Sequence, residues 1–181
     1  MKVVLDACVL YPPVLREILT GLAGAGLFTP LWSARIVEEW ARATRKLGPV
    51  AEDKARGAAA LMNLQFPKAS QAAALAAEAR LHLPDENDIH VLAVAVTSGA
   101  DAILTYNAKD FPRHVLAAEG VERREPDGFL WEMWSHHPAE VGQILEATRA
   151  RAEQMAGRPQ ALKPLLKGLR LNRLAKALQT T

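Results

Sequence analysis

The chain is poor in the residues that build disulfide and thiolate centres. Among its 181 residues, Cys8 is the only cysteine. One thiol excludes an internal disulfide framework and a paired CxxC metal site. Taken alone, Cys8 is best interpreted as a small buried thiol.

Long apolar runs are also missing. No stretch reaches the roughly 18–20 apolar residues that a transmembrane helix needs. The N-terminus enters a short strand-like run without a basic stretch and a long apolar segment, so we expect no signal peptide. The expectation is a soluble cytoplasmic protein with no membrane partner.

Neither sign of charge dominates. With 22 Lys and Arg against 20 Asp and Glu, the formal net charge is +2, which gives only a mild preference for polyanionic partners. Half of the residues are apolar, enough for a sizeable core. The length suits one ordinary domain with an appendage.

The signature loops of several enzyme classes are absent. The sequence has no GxxxxGK[ST] or GxGxxG loop, and no GxSxG or HExxH motif. His114 and the His136-His137 pair have no companion Cys or His at metal-binding spacing. His90 stands among apolar residues, where a core or supporting histidine is commoner than a metal ligand.

Strand and helix signals alternate up to about Pro126. Lys2–Leu5 is rich in β-branched residues and predicts a buried parallel strand, and 102–104 is the clearest second strand. Ser33 is a plausible N-cap. Helices are expected over 14–23, 33–46, 51–64, 69–79, 86–98 and 111–118, and weaker strands at 80–83 and 121–124, with 27–29 either a strand or a linking segment.

After Pro126 the strand signals disappear. Helices are expected over 128–135, 138–156 and 160–178. The pattern predicts an α/β domain over residues 1–125 and a helical C-terminal extension over 126–181. The basic amphipathic stretch 163–177 is most simply a packed helix with one solvated face.

Polar side chains follow both clear strands. Asp6 ends the first, and Thr105, Asn107 and Asp110 follow the second. In an open α/β sheet such positions converge at one edge, where ligands bind. Each also has a plainer role: Asp6 and Asn107 in turns, and Asp110 as a cap for the helix at Phe111. We expect Thr105 to hydrogen-bond a neighbouring carboxylate.

Further acids lie on the helices. Asp85 fits as an N-cap of the apolar helix 86–98, and the helix dipole favours acids in the first turn. Asp88 is the better ligand candidate, because it lies three residues past the cap and can lean over the sheet edge. Glu38 and Glu39 can each border the apolar face of their helix, although most mid-helix glutamates are solvated.

The acids gain weight as a set. Four elements that should share one sheet edge each carry at least one. Carboxylates gathered in this way repel each other unless a cation joins them, and hard oxygen ligands suit Mg²⁺ or Mn²⁺. The sequence therefore predicts a metal-dependent phosphoryl-transfer enzyme.

The ordered motifs around these acids resemble those of PIN domains over roughly residues 1–125, and in particular VapC-type toxins of bacterial toxin–antitoxin pairs. They are VLDACVLYP from Val4, WSARIVEEW from Trp32, LPDENDIHVLA from Leu83 and GADAILTYNAKDFP from Gly99. The helical tail resembles, more loosely, the extension of one branch of these toxins.

The resemblance implies a Mg²⁺- or Mn²⁺-dependent endoribonuclease on a Rossmann-like parallel sheet. Glu39 is preferred over Glu38, because the family's acid directly precedes a bulky residue, here Trp40. The implied partners are RNA, a small antitoxin whose tail enters the acidic groove, and a second copy in a homodimer. Carried over by position, the catalytic and metal-binding acids are Asp6, Glu39, Asp88 and Asp110, and the accessory residues are Asp85 and Asn107.

The hypothesis is hydrolysis of an RNA phosphodiester by water that a divalent ion activates. By family analogy the products carry a 3′-hydroxyl and a 5′-phosphate. Phosphate contacts from basic residues would give affinity without sequence choice. The candidates are Arg42, Arg45, Lys46 and Lys109, with Lys163, Lys167, Arg170 and Arg173 in the tail.

The sequence departs from the family pattern at two positions, and two alternative functions stay open. Cys8 stands where the family commonly has Asn, which predicts altered metal affinity or activity, and Ile89 replaces a residue that is often basic, which predicts weaker substrate contact. A haloacid-dehalogenase-like phosphatase also starts with a strand-end Asp, but it needs a second Asp where Cys8 stands. A catalytically silent PIN fold that only binds RNA or protein is the other rival.

Overall fold

A computed structural model describes residues 1–178 of the chain. Five short strands form one sheet with the order β3-β2-β1-β4-β5, and every neighbouring pair is parallel. The sheet confirms the predicted α/β class. The strands are β1 (Lys2–Leu5), β2 (Thr29–Ser33), β3 (Ser70–Gln71), β4 (Ala102–Leu104) and β5 (Glu122–Arg124).

Helices connect and follow the strands. Two 3-10 turns, Thr44–Leu47 and Glu86–Asp88, extend α3 and precede α6. Within residues 1–178 the α helices are α1 (Ala7–Leu10), α2 (Pro13–Gly24), α3 (Ala34–Ala43), α4 (Ala51–Gln65), α5 (Leu75–Glu78), α6 (Ile89–Ser98), α7 (Arg113–Ala118), α8 (Pro126–His136), α9 (Pro138–Ala156), α10 (Leu162–Gly168) and α11 (Asn172–Ala177).

The chain divides into two compact units. The first comprises Met1–Tyr11 and Phe28–Arg124, and the second comprises Pro12–Leu27 and residues 125–178. Helix α2 therefore belongs with the C-terminal helices, where it packs against α9. The predicted division into 1–125 and 126–181 does not include this excursion, and residues 179–181 lie outside the described part.

The core of the first unit is centred on β1. Its side chains Val3, Val4 and Leu5 are fully buried, as are all three residues of β4. Helix α6 packs on β1, β2 and β4, and this contact explains why its residues 90–95 are all buried. Gly99 ends α6 in the left-handed region at φ +61°, a conformation that favours glycine.

Residues 69–83 differ from the prediction. The expected helix 69–79 and strand 80–83 are wrong, because the chain forms β3 and the single turn α5 instead. Ser70 and Gln71 pair with the end of β2, and this tertiary pairing overrides the helical preference of an alanine-rich stretch.

Strand β2 begins at Thr29 and runs to Ser33 rather than occupying 27–29. It contains Pro30, which breaks the usual strand signal. Pro30 lies opposite Val3 of β1, while β3 pairs only with Trp32 and Ser33. The amide hydrogen that proline lacks is therefore not needed by β3.

In the second unit the predicted helix 160–178 is interrupted. Arg170 adopts φ +60° between α10 and α11, a left-handed conformation that interrupts a right-handed helix. Asp127 of α8 then caps α11, accepting hydrogen bonds from the backbone nitrogens of Arg173 at 2.9 Å and Leu174 at 3.0 Å. In the part of the chain that the structure describes, no helix has both the length and the apolar composition to span a bilayer.

Candidate active site

The site lies where the sheet order reverses. Strand β1 continues through β2 to one side and borders β4 on the other, so a crevice opens beyond the carboxyl ends of β1 and β4. Asp6 follows β1, and its backbone nitrogen donates to Leu104 of β4 at 3.2 Å. Thr105 follows β4 at the same edge.

The carboxylate of Asp6 is held by two donors. Thr105 Oγ1 donates to Asp6 Oδ2 at 2.6 Å, and Cys8 Sγ donates to the same oxygen at 3.0 Å. Asp6 is only 6% exposed, so these contacts fix its orientation. The expected hydrogen bond from Thr105 to a carboxylate is present.

Cys8 links the two strand ends. Its sulfur accepts a hydrogen bond from the backbone nitrogen of Tyr106 at 3.2 Å and lies 3.4 Å from Thr105 Oγ1. Burial, reinforced by the charge of Asp6, raises the pKa of the thiol to about 12. The group is therefore a protonated donor at neutral pH and not a nucleophile.

Three carboxylates form the tightest acidic group. Asp85, Asp88 and Asp110 each place an oxygen within 4.8 Å of the others. Asp85 Oδ1 also accepts from the backbone and side-chain nitrogens of Asn87, both at 2.9 Å, so it caps the 3-10 turn and shares the site at once. Asp88 stands directly before α6, whose dipole favours negative charge there.

Asn107 joins two of these acids. Its side-chain nitrogen donates to Asp110 Oδ2 at 2.6 Å and to Asp88 Oδ2 at 3.2 Å. Its backbone nitrogen donates to Thr105 Oγ1 at 2.9 Å. The N-cap of α7 is Pro112, so Asp110 does not have the capping role that was its plainer interpretation.

The electrostatics of Asp88 show that the acids act as one group. Burial raises the pKa of Asp88 to about 7, and the charges of four further acids add to it. In decreasing order of their effect on this pKa, the four acids are Asp6, Asp85, Asp110 and Glu39. Such a set of oxygen donors under mutual repulsion fits a divalent cation, which would relieve that repulsion.

Glu39 lies on the site side of α3. Its Oε1 is 2.9 Å from His90 Nε2 and 3.3 Å from Arg35 Nε, and Arg35 also donates to the backbone oxygen of Asn87 at 3.3 Å. His90 is 2% exposed. Within residues 1–178, neither of its ring nitrogens makes an aligned hydrogen bond. Glu39 therefore lies close to the His90 ring without a well-aligned hydrogen bond to it.

Glu38 faces a different surface. It accepts from Arg42 Nε at 2.5 Å and from Arg56 Nη1 at 2.7 Å. Hydrogen bonds from Arg56 and then Arg42 lower the pKa of Glu38 to about 2. Of the two adjacent glutamates, Glu39 therefore belongs to the acidic site and Glu38 to a surface network of ion pairs.

The sequence-predicted RNA-binding cations fall into different environments. Arg42 pairs with Glu38, and Arg45 pairs with Glu52. Lys109 is exposed next to the site. Lys46 places its ammonium 5.0 Å from the ring centroid of Tyr11. In the second unit, the Arg173 guanidinium lies 3.4 Å from the ring centroid of Trp131.

A cleft adjoins the acids. Its volume is about 400 Å³, and it shares Glu39 and Cys8 with the site described above. No sequence signal selects Tyr11, because a single tyrosine after a one-turn helix has no characteristic spacing. The lining residues are Ala7, Cys8, Tyr11, Glu39, Ala43 and Lys46.

A family model described as PIN domain matches residues 2–109, a span that contains every acid of the site except Asp110. No curated protein and no solved structure matches the chain significantly.

Proposed function

The chain belongs to the PIN domain family, and on that premise we propose that it is a divalent-metal-dependent endoribonuclease. PIN domains are generally metal-dependent nucleases. The observation that carries the proposal is the approach of Asp85, Asp88 and Asp110 within 4.8 Å at the crevice edge.

In this proposal Asp85, Asp88 and Asp110 hold a Mg²⁺ or Mn²⁺ ion, with Asp6 and Glu39 completing the acidic set. All of these donors are carboxylate oxygens, which such hard cations prefer. When bound, the ion supplies Lewis acidity that activates water and stabilises the leaving oxygen of a phosphodiester.

The remaining residues orient the acids. Both hydrogen bonds to Asp6 end on Oδ2, which leaves Oδ1 available to the reaction. Asn107 holds Asp88 and Asp110 close together despite their charges. Asp88 must lose its proton before it can hold a cation, so the site becomes competent as the pH rises through about 7.

The finer assignment extends the VapC resemblance. We propose that the chain is the cytoplasmic toxin of a type II toxin–antitoxin pair and forms a homodimer. The antitoxin would present a basic tail to the acidic group, since opposite charge favours docking there. Replacing arginines of that tail should abolish inhibition if this assignment is right.

A catalytically silent PIN module that binds RNA or protein is the second candidate, favoured by Cys8 in place of the family's usual Asn. The separating experiment incubates structured RNAs such as tRNA with wild type, Asp88→Asn and Asp53→Asn, in Mn²⁺, in Mg²⁺ and in EDTA. Asp53 is an exposed acid of α4 and serves as the matched control.

Discrete cuts that require metal and Asp88 but not Asp53 would support the nuclease. Intact RNA in every condition, with all three proteins folded by circular dichroism, would favour the silent module. Isothermal titration with Mn²⁺ gives a second criterion, because a silent domain should bind no divalent ion tightly.

A further inference from the structure

The cleft beside the acids is not used by the chemistry proposed above. Its volume of about 400 Å³ falls within the roughly 300–1,000 Å³ typical of small-molecule sites. Cys8 and Glu39 line both the cleft and the acidic group. A molecule in this cleft would therefore lie next to the reacting centre.

Lys46 differs from the other cations of its segment. Residues 34–47 contain four cations, and Arg35, Arg42 and Arg45 each pair with a carboxylate. In the described part of the chain, Lys46 has no such partner and instead lies over the Tyr11 ring. Its ammonium is exposed and mounted on a flexible stem, so it can turn to an incoming anion at little cost.

Tyr11 offers a flat apolar surface in the same cleft. The ring is half-buried, and the small side chains of Ala7 and Ala43 leave room beside it. Aromatic rings serve as stacking platforms for unpaired nucleobases, and a lysine nearby neutralises the phosphate that follows the base. Glu39, which also lines the cleft, repels a phosphate, and this repulsion favours a position of the anion at Lys46.

We propose that this cleft binds one unpaired nucleotide of the RNA next to the cleaved phosphodiester, with its base on Tyr11 and its phosphate at Lys46. The inference rests on the proposed nuclease function and adds a binding position for one base and one phosphate. A base that is paired within a helix cannot reach the ring, so binding here requires that base to be unpaired.

The experiment uses the full chain and a short single-stranded RNA of mixed sequence. The test variants are Lys46→Met and Tyr11→Leu. The matched controls are Tyr11→Phe, which keeps the ring, and Lys68→Met, which removes an exposed lysine just before β3, the edge strand that β2 separates from β1. Circular dichroism and Tm check the fold of each protein.

For cleavage in Mn²⁺, Tyr11→Leu should raise KM by about 5- to 150-fold, the usual range for loss of one base–aromatic stack. Lys46→Met should raise KM and lower the slope of log KM against log salt by about 0.7, as expected for one lost phosphate contact on a single strand. Because the contacts are made before and during reaction, kcat should change little. Lys68→Met should behave as wild type, and Tyr11→Phe, which keeps the stacking ring, should raise KM far less than Tyr11→Leu.

A binding measurement separates this inference from the proposed activity. The Asp88→Asn background is combined with each variant, and binding of the same fluorescein-labelled RNA is followed by anisotropy. If wild type never cleaves RNA but Lys46→Met and Tyr11→Leu still weaken binding, the nuclease fails and the subsite stands. Equal affinity in all variants, equal loss in Lys68→Met, or equal binding of the annealed duplex would overturn the subsite.

Discussion

The Cys8 thiol donates a hydrogen bond to Asp6 Oδ2 at 3.0 Å. Cys8 stands at the position where PIN domains more often have an asparagine. The same sulfur accepts from the backbone nitrogen of Tyr106 at 3.2 Å. One side chain after β1 therefore connects the acid of that strand to the loop after β4. Although Cys8 departs from the family pattern, its thiol still makes hydrogen bonds to both strand ends.

The first prediction concerns this link. Cys8→Ala removes the donor to a charged acceptor and should destabilise the fold by about 1–3 kcal/mol. Cleavage should fall by about tenfold, because Asp6 loses one of its two holding contacts. Cys8→Ser and Cys8→Asn retain a donor and should keep more activity than Cys8→Ala. Urea unfolding and RNA cleavage measure the two effects, and equal activity of Ala and Ser variants would argue against the link.

The second prediction is a pH dependence of the metal-free protein. The pKa of Asp88 is about 7 against an ordinary value of 3.8, so its protonated form is favoured in the folded state. Its contribution to stability is full below about pH 4 and is lost as the pH rises through 7. In a fully buried carboxyl, a pKa shift of this size would contribute about 4 kcal/mol to the free energy of unfolding. Solvent screening at the half-exposed Asp88 carboxyl reduces that contribution to about 1–2 kcal/mol.

In EDTA, Asp88→Asn should therefore gain stability over wild type at pH 8 and little at pH 4, as measured by urea unfolding. Added Mn²⁺ should raise the Tm of wild type more at pH 8 than at pH 5.5, because the ion competes with the proton. A Mn²⁺ response of Asp88→Asn equal to that of wild type would remove Asp88 from the metal site.

The third prediction separates two adjacent glutamates. Glu39→Gln removes charge beside His90 and Asp88, so cleavage should fall at least tenfold with the fold intact. Glu38→Gln breaks the ion pairs with Arg42 and Arg56, which lie on the exposed surface, and should leave cleavage unchanged. Each variant is the other's control, since both change the same side chain on one helix. Loss of cleavage in Glu38→Gln alone would reverse the assignment.

The fourth prediction tests the cap in the second unit. Asp127→Ala leaves the first amides of α11 without the acceptor from α8 and should cost about 0.5–2 kcal/mol. Asp127→Asn keeps a side-chain acceptor and should cost less. Hydrogen exchange should rise at Arg173 and Leu174 in the Ala variant. Unchanged protection of these two amides would show that the cap does not stabilise α11.

Local signals suffice where an element has both a pattern and marked ends. Strand β4 and helix α9 have the bounds that the sequence predicts, because β4 is a short apolar run and α9 has Pro138 at its start and Gly157, at φ +62°, after its end. The Ser33 cap is present too, with its hydroxyl accepting from Ile36 at 3.2 Å. None of these features needs a distant partner.

The elements that the sequence predicted wrongly depend on contacts with distant parts of the chain. Strand β3 exists only because Ser70 and Gln71 meet the end of β2, a pairing that composition cannot reveal. The break at Arg170 follows Gly168, a weak helix former, but the cap that Asp127 of α8 supplies to the next helix is a distant contact that no local pattern reveals. In both places tertiary contacts outweigh preferences of a few tenths of a kcal/mol per residue.

By itself the sequence determined the chemistry available, namely carboxylates placed after parallel strands and before the apolar helix, because residue type and spacing fix what a side chain can donate or accept. Only the tertiary structure decided which of them meet. Thr105 reaches Asp6 across 99 positions, Asp85 joins Asp88 and Asp110, and Lys46 meets Tyr11. Those distances follow from strand order and helix packing, which bring together residues that no local pattern relates.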